Sequence, residues 1–240
     1  MEFEKLFARW QKAHPFECFV KDGIVDPGRC ERPRVLFVLR DMNCDKTADL
    51  REHLRGWESG WRTWCNVGRW TKALLDGEEE YPRDMSKWKR VEQMHRIAAM
   101  NLKKEGGGPR TVGGELQEAV ESQRDLIWEE ICLCDPDIII CCGLRSPGIT
   151  DNATLLRDHV LPETTEPEWL KSASFDRWWM HYHAAINGRQ VPVVGFCHPQ
   201  VTNFCGCRGH KDLFEPLYRD MLMIRRRFLQ KKGNGSENEE

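Results

Sequence analysis

The chain has no apolar run approaching the roughly 20 residues that a membrane-spanning helix requires. Its first 20 residues carry charge throughout, where a secretory leader would be apolar. These absences predict a soluble, cytoplasmic protein with no membrane partner. No internal repeat is visible. No Cys-x-x-Cys pair occurs among the eleven cysteines, which argues against the commonest structural zinc spacings. The glycine-rich stretch KKEGGGPRTVGG at 103–114 lacks the Gly-Lys-Ser/Thr ending of a phosphate-binding loop, and no glycine-rich loop follows the first strand-like run. That weakens a nucleotide-processing hydrolase as a reading.

What is present fits one globular domain. With 240 residues, of which 40% are hydrophobic and 10% aromatic, the chain buries a core of its own, and residues 1–232 are expected to form a single domain. The last eight residues, GNGSENEE (233–240), have the composition of a disordered acidic tail. The net charge of −2 owes three glutamates to that tail, so the remainder sits near +1. Basic clusters at 102–104, 207–211 and 225–232 matter more than the total, although each alone reads first as a solvated surface. Most cysteines, such as Cys132, Cys134, Cys141 and Cys142, sit in apolar surroundings and read as free interior thiols.

PRVLFVL (33–39), PDIIICCG (136–143) and VPVVGFC (191–197) are continuous apolar runs of the kind covered on both faces, and RIAAMNL (96–102) is a weaker fourth. Helical periodicity occupies 114–131 and 212–229. Strands alternating with helices predict an α/β fold: three layers, α/β/α, around a central, mostly parallel four-stranded sheet. Ligands of such sheets lie beyond the carboxyl ends of the strands. That rule selects Arg40-Asp41-Met42-Asn43, Asn101 with Lys103 and Lys104, Gly143-Leu144-Arg145-Ser146, and His198-Pro199-Gln200.

In this order and spacing, FVLRDMN, IAAMNLKK, LCDPDIIICCG and VVGFCHPQ resemble the motifs of the uracil-DNA glycosylase superfamily, over about residues 33–230. The resemblance implies that family's fold and a DNA glycosylase, monofunctional and monomeric, acting on DNA without a cofactor or metal. Asp41 and His198 would be catalytic. Asn101, Arg40, Met42 and Asn43 would bind the base, and Trp64, chosen among Trp57, Trp61, Trp64 and Trp70, would stack on it. Lys103, Pro199, Gln200, Arg208 and Lys211 would contact DNA. Leu39 and Met42 stand where the family carries glycine and proline, and Gln200 replaces its serine. These departures leave the base open between uracil and a decorated cytosine of the kind found in phage DNA, and the role open between repair and defence. The four-cysteine spacing of the iron-sulfur members is missing.

The chemistry requires these residue types. Breaking an N-glycosidic bond builds positive charge on the sugar and negative charge on the departing base. A carboxylate such as Asp41 stabilises the first and orients water; a neutral imidazole such as His198 donates to the second. The amide of Asn101 offers a donor and an acceptor to a flipped pyrimidine. Three rivals stand beside this reading: a catalytically inactive DNA-binding module of the same fold, the nucleotide hydrolase, and a zinc site from Cys197, Cys205, Cys207 and His210. A thiol nucleophile at Cys197 using His198 as its base is disfavoured, because neighbours on a strand point to opposite faces.

Overall fold

The computed structural model describes residues 2–56, 62–107, 113–143 and 150–230. Seven strands form one mixed sheet: β1 (Gly23–Ile24), β2 (Val35–Leu39), β3 (Ala98–Asn101), β4 (Ile138–Cys142), β5 (Glu168–Lys171), β6 (Trp178–Ile186) and β7 (Arg189–Phe196). Their spatial order is β1-β3-β2-β4-β7-β6-β5. The four expected strands lie side by side and parallel in its middle. The expectation of four strands in all is corrected: β1 pairs antiparallel with β3 at one edge, and β7-β6-β5 continue as an antiparallel meander at the other. The missed hairpin turns at Asn187-Gly188, both with positive φ (48° and 74°). Such a pair suits a two-residue turn between twisted strands.

Alternation of side chains across the sheet builds two cores. Val35, Phe37 and Leu39 of β2 face one side with Ile138, Ile140 and Phe196. Leu36 and Val38 face the other with Ile139, Cys141 and Val193. The first side is covered by α2 (Leu50–Arg55) through Leu50 and Leu54, by α3 (Arg62–Leu75) through Trp64, Val67, Trp70 and Leu74, by α4 (Lys87–Met94) through Met94, and by the C-terminal helix Glu215–Phe228 through Leu217, Met221 and Ile224. The second is covered by α1 (Glu2–Ala13) through Leu6, Phe7 and Trp10, and by α5 (Gly113–Cys134) through Leu116, Val120, Ile127 and Ile131. Each face thus recruits helices whose apolar residues recur every three or four positions. No helix among the described residues is long and apolar enough to cross a membrane. All eleven cysteines are free thiols, five of them buried.

A cluster of charged side chains is fully interior. Lys104, with no exposed surface, pairs with Asp22 and, at 2.6 Å, with Glu130 of α5. The Trp10 ring lies 5.1 Å from its ammonium. Burial and the neighbouring Asp22 push the Glu130 carboxyl well above its usual range. The three groups therefore approach a single ion pair with a neutral acid beside it. Removing the cation strands a buried carboxylate, so Lys104→Ala should cost about 3–5 kcal/mol. Glu130→Gln should cost far less, since the acid is already held toward its neutral form. Urea unfolding of both variants at pH 7 checks the contrast; equal losses would refute it.

Candidate functional site

The chain leaving β2 passes to the α3 side, whereas the chain leaving β4 passes to the α5 side, where Ala153 and Leu155 enter the second core. Divergence of adjacent strands opens a crevice at their carboxyl ends. Arg40 and Asp41 stand on one lip. The β2–β3 ladder runs one step further here, with Leu102 N–H donating to Leu39 O (3.0 Å) and Lys103 N–H to Arg40 O (2.8 Å). Gly107 N–H then donates to Met42 O (2.9 Å), and Asn43 bridges to Gly107. A Cβ built on Gly107 would lie 2.6 Å from Asp41 Oδ2, so the carboxylate lies directly over that glycine.

The other lip is Gly143, whose N–H donates to Phe196 O (3.0 Å). Its missing side chain is filled by Arg40: a Cβ there would stand 3.2 Å from Arg40 Nε. Behind it, Asn152 Nδ2 donates to Cys142 O (2.9 Å) and Val38 O (3.3 Å). Asp151 caps the helix Asn152–Leu155. Burial lowers the proton affinity of Arg40, and Asp41 and Asp151 oppose that only in part.

His198 follows β7, next along the edge. Its Nδ1 accepts from Gln200 N–H (3.1 Å), and Val201 N–H closes the turn on His198 O (3.0 Å). Asn66 of α3 pins the turn by donating to Pro199 O (2.6 Å). Burial first, then the Arg40 charge, lowers the His198 pKa to about 4. An imidazole accepting at Nδ1 and neutral at physiological pH carries its proton on Nε2, so His198 is a neutral donor. Cys197 is buried in the α3-side core, so it is the adjacent histidine that the strand end leaves partly exposed.

The remaining expected residues are placed variously. Asn101 ends β3 but is only 2% exposed, and its backbone N–H (2.7 Å) and Nδ2 (3.3 Å) both donate to Asp22. Its amide is thus oriented by the interior ion cluster. Trp64 is 4% exposed within the first core, which leaves no open ring face for stacking, and Met42 packs against the same core. Lys103 Nζ is drawn toward Glu115 (3.3 Å) and Glu105 (3.8 Å). Gln200, Arg208 and Lys211 are exposed, whereas Pro199 is buried. Leu144, Arg145, Ser146, Trp57, Trp61, Lys231, Lys232 and the 233–240 tail lie outside the described residues.

The cysteine–histidine group does not converge. Cys205 is exposed at the tip of the ribbon Asn203–Phe204/Cys207–Arg208, Cys197 lies in the core, and His210 Nδ1 meets the Tyr81 hydroxyl (3.0 Å). Among the described residues no three His, Cys, Asp or Glu side chains are grouped to hold a metal ion. Two features escaped the sequence reading. Trp169 and Trp178, each about half exposed, line a cavity of about 110 Å³ with Gly143, Asp151 and Arg177. Their signal was the edge-strand pattern in EWLK and WWMHYH. Comparison of the chain with protein-family models and with curated proteins yields no match.

The His198 environment has a measurable consequence. An unfolded imidazole titrates near 6.5 and the folded one near 4, so the unfolded state binds more protons between those values. Stability linked to His198 is complete above about pH 6.5 and is lost as the pH falls toward 4. NMR titration of the ring should give the low midpoint, and His198→Gln should flatten the acid limb of stability. Arg40→Gln should raise the midpoint while leaving it below 6.5, because burial remains; a midpoint unmoved by that substitution would refute the electrostatic assignment.

Proposed function

We propose that the protein is a monomeric DNA glycosylase that extrudes a damaged or modified pyrimidine and hydrolyses its bond to deoxyribose. The observation that carries the reading is the neutral Nε2–H donor of His198 on the same sheet edge as the Asp41 carboxylate, with Arg40 between them. Strands lie roughly 4.8 Å apart, so β2 and β7, two spacings apart, leave about 10 Å between the two groups' backbones. We place the nucleoside along this edge, against the Arg40 side chain that lies over Gly143. The four motifs resembling the uracil-DNA glycosylase superfamily end on this same edge.

In this mechanism the bond between the sugar C1′ and the base nitrogen breaks, and its electron pair leaves with the base. His198 Nε2–H and the Arg40 guanidinium stabilise the base anion. Asp41 stabilises the cationic sugar and takes a proton from the water whose oxygen bonds C1′. A neutral His198 donates without giving up its proton fully, so it needs no recharging at neutral pH. Asp22 orients Asn101 at the β3 end, where it would read the base edge. With Trp64 in the core, stacking falls to Trp169 or Trp178. Leu39 and Met42 both pack into the first core, which gives the Asp41 loop its own course and leaves the choice open between uracil and a decorated cytosine.

Uracil-containing and modified-cytosine duplexes, treated with the protein and then alkali, should be cut at the abasic site, with the free base identified by mass spectrometry. His198→Gln should slow release about 10²–10³-fold, as for one lost oxyanion donor. Asp41→Asn should slow it about 10²–10⁴-fold. Gly107→Ala, which displaces the Asp41 carboxylate, should reduce turnover in the same direction while the protein stays folded. DNA binding with no base released from any substrate would replace the enzyme by a binding module.

A further inference from the structure

We propose that the cavity between α3 and the turn at Gly209-His210 seats a phosphodiester of the DNA backbone, close to the extruded nucleotide. The inference rests on the DNA-directed reading above and adds a site to it. The cavity, of about 490 Å³, is lined from one side by Arg62, Asn66 and Arg69, and from the other by Thr202 and His210. The three α3 residues are spaced four and then three apart, which puts them on one face of the helix. Among the described residues that line it, none is acidic.

The strongest indication is Arg69. It is only 7% exposed, yet every acceptor it meets is neutral: the carbonyls of Cys65, Pro82 and Arg83, each at 3.3 Å, and Asn66 Oδ1 at 3.5 Å. These contacts hold the guanidinium rigidly, with its face toward the Tyr81 ring (5.8 Å), and leave its charge to be answered from the cavity. A buried cation normally has an anionic partner. Opposite it, His210 Nδ1 is engaged by the Tyr81 hydroxyl, so Nε2 is the nitrogen left to serve a ligand. Burial, Arg69 and Arg83 all lower the affinity of His210 for a proton, and Asp84 opposes them weakly. A bound anion would reverse that balance.

Arg208 and Lys211 stand exposed on the neighbouring ribbon and turn, so the positive field extends along a track instead of ending in a closed pocket. Asn66 connects the cavity to the catalytic edge, because the same side chain that accepts from Arg69 donates to Pro199 O, next to His198. Cations and hydroxyls lining an open track bind backbone charge without reading sequence.

The test measures duplex binding by fluorescence anisotropy over a salt series for the wild type, Arg62→Gln, His210→Gln and the double variant. Arg62 and His210 are exposed, so their loss should spare the fold; Arg69→Gln, which removes bonds to three carbonyls, is read only alongside a melting curve. Expected is a fall of about 0.9 in the slope of log K against log salt, the value of one phosphate contact, and weaker binding by several-fold. An unchanged slope and affinity in the double variant overturns the seat. So does inorganic phosphate or a nucleoside monophosphate binding to the wild type, and losing affinity in Arg62→Gln, while duplex binding stays the same. Base release is followed in parallel. Release with an unaltered salt slope removes the seat and keeps the glycosylase; an altered slope with no release from any protein keeps the seat and removes the glycosylase.

Discussion

Where β2 and β4 end, they lose each other as ladder partners, because the two chains depart for opposite faces of the sheet. The carbonyls of Val38 and Cys142 are met there by a single side-chain amide, that of Asn152. Buried carbonyls without donors are costly, so this bond pair is what lets two fully buried strands part with their last carbonyls satisfied. Arg40 then closes over Gly143 from the outside, in space that any side chain at 143 would occupy. Burial, together with that arginine, sets the neutral state of His198. The crevice is therefore a product of topology first, with the charged groups placed by what the topology leaves unsatisfied.

That order explains the state of His198. A solvated histidine ordinarily titrates near 6.5, so that a fraction of it is charged close to neutral pH. Burial and the influence of Arg40 remove that fraction, and the ring is held neutral. A glycosylase benefits, because an imidazolium would bind the ground-state carbonyl as well as the departing anion, whereas a preorganised neutral donor gains most as charge develops. Arg40 supplies the fixed positive charge; His198 supplies direction.

Legibility in the sequence followed burial. The runs 33–39, 136–143 and 191–197 become β2, β4 and β7 because strands covered on both faces leave no polar alternation to confuse the reading. The carboxyl-edge residues Arg40, Asp41 and His198 followed from those strand ends. The meander was harder. β6 runs Trp178–Ile186 with His181 and His183 inside it, so its apolar content is diluted, yet Asn187-Gly188 was a local turn signal that marked the hairpin. Trp64 misled for a reason visible only in three dimensions: on α3 it recurs with Val67 and Trp70 on the core face, and a tryptophan near an active-site motif carries no mark of which way its helix turns. The motif around Asn101 does not carry its partner, since Asp22 lies 79 residues away in sequence, beyond any local pattern.

The distribution of positive charge brings the remaining parts together. The formal net charge of −2 gives no hint of affinity for DNA, and most arginines are spent on surface carboxylates: Arg32 and Arg189 on Asp135 and Asp137, Arg96 on Asp76, Arg226 on Glu79. Arg69 is among the contrasting cases, with Arg225 and Arg90, since its acceptors are neutral oxygens; of these it is the one that lines the cavity beside His210. A field made by a few such groups acts over about a Debye length, roughly 8 Å at physiological salt. It therefore serves only ligands that come to this part of the surface, and Asn66 ties that part to the turn carrying His198. A nucleic acid bound by its phosphates along this track would arrive with a nucleotide already at the crevice, and the cost of extruding it would be met by contacts made before the base moves.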